Sequence, residues 1–272
     1  MNGRVVVAIA GVLVASAAVG RAQTATDVPD RFRFEIGGFR VDADSKLTLN
    51  RNGVSDTVDF EDELGLQTTA HRGYVEGYWR VGRRHMLSLA YQRLERETDD
   101  VTLERTLNWG GKVFPAGFHA SAFANSNYYS GAYRFAAYRG DRFELGPAVG
   151  LGYLKVSAGI DATANAGAAA RDLVVSGDTG SITGNVGAYV YWWPARRVLV
   201  RTDARYILVE PGDSEASVTD ARAALLWHPV PKLALGLQYA YSKFRYDRSL
   251  LDTSLGGSTR FQGGQILVGY VF

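Results

Sequence analysis

Apolar and polar residues alternate with period two along most of this chain, and the alternation restarts ten times. The segments are 31–44, 70–81, 86–97, 123–138, 142–157, 182–193, 198–209, 217–228, 233–246 and 259–272. In the second, Gly73, Val75, Gly77 and Trp79 oppose Arg72, Glu76 and Arg80. In the fourth, Tyr129, Gly131, Tyr133 and Phe135 oppose Ser130, Ala132, Arg134 and Ala136. In the ninth, Leu233, Leu235, Leu237, Tyr239 and Tyr241 oppose Ala234, Gly236, Gln238, Ala240 and Ser242. A helix repeats every 3.6 residues and does not produce such strings; a strand with one apolar face does. On this parity an inward Ala234 should accept polar change more readily than an outward Leu235.

The connections alternate short and long. GRRH at 82–85, RGDR at 139–142, PARR at 194–197 and PVPK at 229–232 are short and carry turn-forming residues. The stretches 45–69, 98–122, 158–181 and 247–258 are longer and mostly polar or rich in Gly and Ala, which predicts loops, while 210–216 is a tight turn on the long-loop side. Trp79, Trp192, Trp193 and Trp227 each lie just before a short turn. Tryptophan gathers at membrane interfaces, with its ring in lipid and its N–H among headgroups. Tyr91, Tyr153, Tyr206 and Tyr241 lie toward the other ends of the strands and suit a second girdle. The pattern predicts an all-β chain, a transmembrane antiparallel up-and-down β-barrel of ten strands, with eight as the alternative count. Pro147 sits inside the fifth strand, where its missing N–H interrupts a ladder unless a bulge beside Gly146 absorbs it.

The beginning of the chain has a different character. MNGRVVVAIAGVLVASAAVGRAQ carries a basic Arg4, an apolar run from Val5 to about Val19, and the small residues Gly20 and Ala22. This predicts a secretory signal peptide over 1–22 and a barrel domain over 23–272. The leader takes Arg4 and Arg21 from the 30 basic residues and none of the 28 acidic ones, which leaves the remainder balanced at 28 against 28. That balance gives no reason to expect nucleic acid as a partner. Cysteine is absent, so neither disulfides nor thiolate chemistry enter.

The chain closes on GGQILVGYVF, with Ile266, Val268, Tyr270 and Phe272 on one face and Gln265, Leu267 and Gly269 on the other. A last strand ending on Phe, with an aromatic two residues before it, resembles the C-terminal assembly signal of Gram-negative outer-membrane β-barrels. DFEDELGL at 59–66, YWRVGRRHMLSLAYQRLER, VFPAG at 113–117 and YYSGAYRF extend the resemblance over most of the chain, to an uncharacterised proteobacterial group of small outer-membrane barrels. It implies residence in the cell outer membrane, contact with membrane lipid and lipopolysaccharide, and delivery by the barrel-assembly machinery. It transfers no catalytic residue and no cofactor.

Three groups of residues are candidates for chemistry. Arg72, Glu76, Arg80, Arg134, Glu144, Arg201, Asp203, Arg205, Asp220 and Arg222 share the inward parity and make a charge network in the lumen. Such a set either selects a solute or packs as a mutually neutralised plug, and ten strands enclose a bore that long arginines largely fill. Small inward residues of the fifth strand, Gly146, Ala148, Gly150 and Gly152, either make room for those arginines or leave a water path. A hairpin centred near Gly212 and Asp213 sets Asp203 opposite Arg222 and Arg205 opposite Asp220. The acidic stretch Asp56, Asp59, Glu61, Asp62 and Glu63 offers oxygen ligands, but its spacing matches no calcium loop and reads as solvated. His71 and the His119–Ser121 pair fall at long-loop ends without a recognisable catalytic motif, whereas His85 and His228 fall at short turns and read as interfacial. The expectation is a monomeric, non-enzymatic barrel with a largely plugged polar lumen, serving envelope integrity or surface interaction. The alternatives are a narrow channel for ions or small solutes and a surface hydrolase.

Overall fold

A computed structural model describes residues 31–51, 54–63, 68–103, 106–109, 112–163, 172–209, 214–250 and 253–272. The leader falls outside them, as does the turn at Gly212 and Asp213. Ten long strands dominate: β1 (Phe32–Arg51), β2 (Thr69–Arg80), β3 (His85–Glu95), β4 (His119–Phe135), β5 (Phe143–Thr163), β6 (Asp172–Ala195), β7 (Val198–Val209), β8 (Ser214–Val230), β9 (Leu233–Leu250) and β10 (Thr253–Val271). Each pairs antiparallel with its sequence neighbours, and β1 pairs with both β2 and β10, so the sheet closes. The closure runs to the last residue. The Phe32 N–H donates to the Phe272 carbonyl at 2.7 Å, and the Phe272 N–H returns to the Phe32 carbonyl at 2.9 Å. The Phe32 ring stacks between Trp79 and Phe272, at 5.8 and 5.2 Å.

The two faces follow the alternation. Outward positions include Leu89 at 71% exposure, Ile182 at 76% and Leu237 at 65%, along with Leu151, Val186 and Ile266. A belt of isolated aliphatic side chains this exposed is unfavourable in water and favourable against lipid tails. Trp79, Trp192 and Trp227 face outward near the short-turn ends, while Tyr153 and Tyr206 do so toward the long-loop ends. Trp193 departs from the expected girdle. It follows Trp192 directly, so only one of the two can face lipid, and Trp193 packs inward against the apolar cluster that seals the short-turn end. That cluster includes Met86, Leu199, Leu226, Ala234 and Leu267. Buried Ala234 is therefore not a forgiving position, contrary to expectation, because it is packed rather than hydrated.

The strands run further than the alternation indicates. β5 and β6 stay paired out to Thr163–Asp172, and β9 and β10 out to Leu250–Thr253. β1 continues to Arg51 and folds back on the short strand Val54–Asp59. About 9–11 residues cross a bilayer, so these hairpins stand well above it. Beyond the membrane both faces of a strand meet water, the apolar period disappears, and the ladder continues unmarked. The segments expected as loops are largely paired strand for that reason.

Pro147 does mark an irregularity. The register of β5 with the preceding chain shifts by one between the pairs Leu145–Tyr138 and Ala148–Arg134. The extra residue lies on the facing segment, so Pro147 sits where the ladder is already interrupted. Gly146 is required at this point: a Cβ there would lie 1.7 Å from the Phe135 carbonyl oxygen. The small residues of β5 make room for neighbouring strands rather than for arginines, since a Cβ on Gly150 would meet the Gly131 carbonyl at 2.2 Å.

The depth of the belt gives a direct test. Replacing Leu237 with Arg should cost about 2–4 kcal/mol, and replacing Tyr241 with Arg about 0–1 kcal/mol, because the penalty for a charge falls toward the interface. Urea unfolding in lipid vesicles measures both, and equal penalties would displace the belt from the position given by exposure.

Candidate functional site

All ten inward charges converge in the barrel interior. Two arginines organise them. Arg134 donates to Asp203 at 2.6 Å and to Glu76 at 3.2 Å. Arg201 engages Glu35 at 2.8 Å and reaches Asp203 at 3.5 Å. Arg222 crosses the lumen to Glu76 at 3.0 Å and also lies 3.5 Å from Asp220. Arg205 pairs with Asp220 at 3.2 Å, and Arg80 with Glu144 at 3.0 Å. Arg72 lies at the long-loop side of the network, 4.0 Å from Asp220 and 3.5 Å from Ser242. Aromatic rings fill the spaces between these groups. The Arg134 and Arg201 guanidinium groups lie over the Tyr78 ring at 4.8 and 5.4 Å, and that of Arg222 lies over Tyr74 at 5.2 Å. Planar guanidinium groups suit this role, because one face stacks on a ring while the edge donates to carboxylates.

The β7–β8 register is the expected one: Asp203 lies opposite Arg222 and Arg205 opposite Asp220. Only the second pair makes its ion pair across the two strands. Asp203 turns to Arg134 and Arg201, and Arg222 turns to Glu76. A closed barrel brings far strands as near as adjacent ones, so hairpin register alone does not decide the partners. Glu35 and Arg33 complete the network and were not singled out from sequence. The signal was present: both lie on the inward parity of the first strand, opposite the lipid-facing Phe34 and Ile36.

On the long-loop side of the ions the lumen widens into an apolar chamber of about 240 Å³. Leu154, Ile207, Val218 and Phe244 line one side, and Leu94 and Phe261 another. A single helical turn, α1 (Phe60–Glu63), covers it with Phe60. The acidic stretch builds this cover. The Asp59 carboxylate caps the turn, accepting from the Glu61 and Asp62 N–H groups at 3.2 Å each. It also pairs with Lys46 at 2.9 Å. Partial burial pushes the Asp59 carboxyl up, but the Lys46 ammonium and these N–H donors outweigh it and hold the group below its usual range. Glu61 accepts the Ser45 N–H at 2.7 Å and pairs with buried Arg96, which latches the turn to β1 and to the end of β3. The side chains of Asp56 and Glu63 lie outside the described residues.

The histidines are scattered. His85 faces outward and shares a 2.6 Å hydrogen bond with the Tyr133 hydroxyl, as an interfacial residue does. His228 is not interfacial; it is fully buried beside Trp193, with ring centroids 5.7 Å apart. His119 and Ser121 lie at the start of β4, paired with Thr163 and Asp161 of β5. The His71 side chain lies outside the described residues.

No protein-family model matches the chain, and no curated protein matches it in sequence. Solved structures do match in shape. The outer membrane protease OmpT from Escherichia coli aligns over 90% of this chain and 97% of its own, with a TM-score of 0.53 and 9% identity. The translocator domain of the autotransporter NalP from Neisseria meningitidis aligns over 89% of both chains, with a TM-score of 0.41 and 13% identity. Ail, the attachment invasion locus protein of Yersinia pestis, aligns over 87% of this chain and 99% of its own, with a TM-score of 0.32 and 9% identity. At such identities the likeness concerns the fold: the chain is a closed, antiparallel transmembrane β-barrel of the outer-membrane type.

Proposed function

We propose that this protein resides in the outer membrane as a monomeric, non-enzymatic barrel, closed to solutes, that serves envelope integrity or surface interaction through its long-loop rim. The observation that supports a closed lumen is the burial of its charges. Glu35 and Glu76 are 0% exposed and Arg134 and Arg201 1%, although all four project into the bore. A water-filled path would leave such groups hydrated. Below them the apolar cluster of Met86, Leu199, Leu226 and Leu267 provides a second seal. Single-channel recording of the refolded protein tests the reading. The wild type should show no resolved conductance steps, and a variant that opens both seals, Arg134→Ala/Arg201→Ala combined with Leu199→Ala/Leu226→Ala, should show them. Steady conductance by the wild type would overturn the reading in favour of a narrow channel.

The plug should also appear in unfolding energetics. Arg134→Met or Asp203→Asn alone should cost up to about 3–5 kcal/mol, because each unbalances buried charges that keep only their remaining partners. The joint replacement should cost less than the two singles together, with a coupling of about 1–3 kcal/mol. The Asp203–Arg222 coupling should be the smaller, since those two side chains turn to other partners. A larger coupling for Asp203–Arg222 would contradict the geometry described above.

The same reading assigns Ile266, Val268, Tyr270 and Phe272 to recognition by the assembly machinery and to contact with lipid and lipopolysaccharide. All four face outward, and Phe272 bonds to Phe32 through both of its backbone groups. Deleting Phe272 should reduce the heat-modifiable, folded form in outer-membrane fractions several-fold. Unchanged recovery of the folded form would remove the assignment.

A further inference from the structure

The apolar chamber between the ion plug and α1 has the features of a binding site. Its size is one. A cavity of 150 Å³ lined by aliphatic and aromatic side chains holds benzene, so the roughly 240 Å³ here scales to a molecule of about ten non-hydrogen atoms. Its walls are another: Leu94, Leu154, Ile207, Val218, Phe244 and Phe261 offer an apolar molecule contact on several sides. Ligand sites have this composition, mostly apolar with a few placed polar groups.

The charges of the chamber are balanced at both ends. At the floor, Asp220 accepts from Arg205 at 3.2 Å and from Ser242 at 2.8 Å, with Arg72 beyond. At the roof, Arg96 pairs with Glu61 and donates to the Ser45 hydroxyl at 2.7 Å. Neither end offers an uncompensated charge, so the occupant is neutral. The wall formed by β4, β5 and β6 differs. The Tyr128 hydroxyl, the Thr183 hydroxyl and the Asn185 amide are buried and have no hydrogen-bond partner among the described residues. Tyr128 lines the chamber. Thr183 stands beside it, since a Cβ at Gly152 would lie 2.7 Å from both the Thr183 oxygen and the edge of the Tyr128 ring. Buried polar atoms of this kind are costly unless something completes their hydrogen bonds.

We propose that this chamber binds a neutral, mostly apolar small molecule of about ten non-hydrogen atoms, carrying one hydroxyl or carbonyl group that bonds to Tyr128. The latched turn α1 partly covers the site toward the long-loop side, and the ion plug bounds it below. The proposal rests on the closed barrel argued above, but binding and conductance are read separately, so either can fail without the other.

The test uses the full barrel in lipid nanodiscs, with 4-propylphenol and propylbenzene as probes and empty discs as the baseline for partition into lipid. Calorimetric titration should give a saturable one-to-one component for both probes with the wild type. Ala124→Trp places an indole in the chamber and should abolish that component. If this variant does not show folded, heat-modifiable migration, Leu154→Trp replaces it. Tyr128→Phe should weaken 4-propylphenol about tenfold, the loss of one hydrogen bond, and leave propylbenzene unchanged. Wild-type discs that behave as empty discs do, or saturable binding that survives the blocking variant, would overturn the site. Equal effects of Tyr128→Phe on the two probes would overturn the assigned polar contact.

Discussion

Inside a bilayer no water is present to satisfy a backbone N–H or C=O, and an open sheet edge is therefore excluded. Everything else in this barrel follows from that requirement. The first and last strands must meet, and they do so in one constant register from Arg33–Val271 to Arg51–Thr253. The reciprocal bonds between Phe32 and Phe272 extend the seam to the end of the chain. Closure makes the alternation of side chains absolute: each residue faces either lipid or the bore. Trp192 and Trp193, adjacent and chemically alike, are separated in this way into an interfacial and a lumenal side chain.

Closure also creates an interior that has to be filled, and this chain fills it in three different ways. Apolar side chains seal the short-turn end, arginines and carboxylates occupy the middle, and an apolar chamber lies toward the long-loop end. The middle layer is not a store of net stability. Desolvating ions offsets most of their attraction. Its effect is conditional: each ion makes its neighbours tolerable, so Asp203, Glu76 and their arginines stand or fall together. Tyr74 and Tyr78 bind the layer further, giving the guanidinium faces a surface that neither water nor a carboxylate supplies.

The acidic stretch shows how one composition serves different ends. Carboxylates close together in sequence suggest a solvated loop or a cation site. Here Asp59 caps a helical turn and Glu61 latches it to Arg96. Both uses need partners distant in sequence or a backbone conformation that no spacing rule encodes.

The sequence by itself determined the parity of each face and the inward position of the ten charges, because a strand's side-chain period is local and lipid demands an apolar outer face; it favoured ten strands over eight, and closure of the sheet decided the count. It also determined the β7–β8 register, since a tight turn leaves little choice. It did not determine where the strands end, because the period that marks them stops with the membrane while the ladder continues. Nor did it determine which arginine meets which carboxylate, that His228 is buried, or that an apolar chamber sits above a polar plug. Those depend on distances across the bore. Only closing the sheet brings Arg134 of β4 to Asp203 of β7, and Leu154 of β5 to Phe244 of β9.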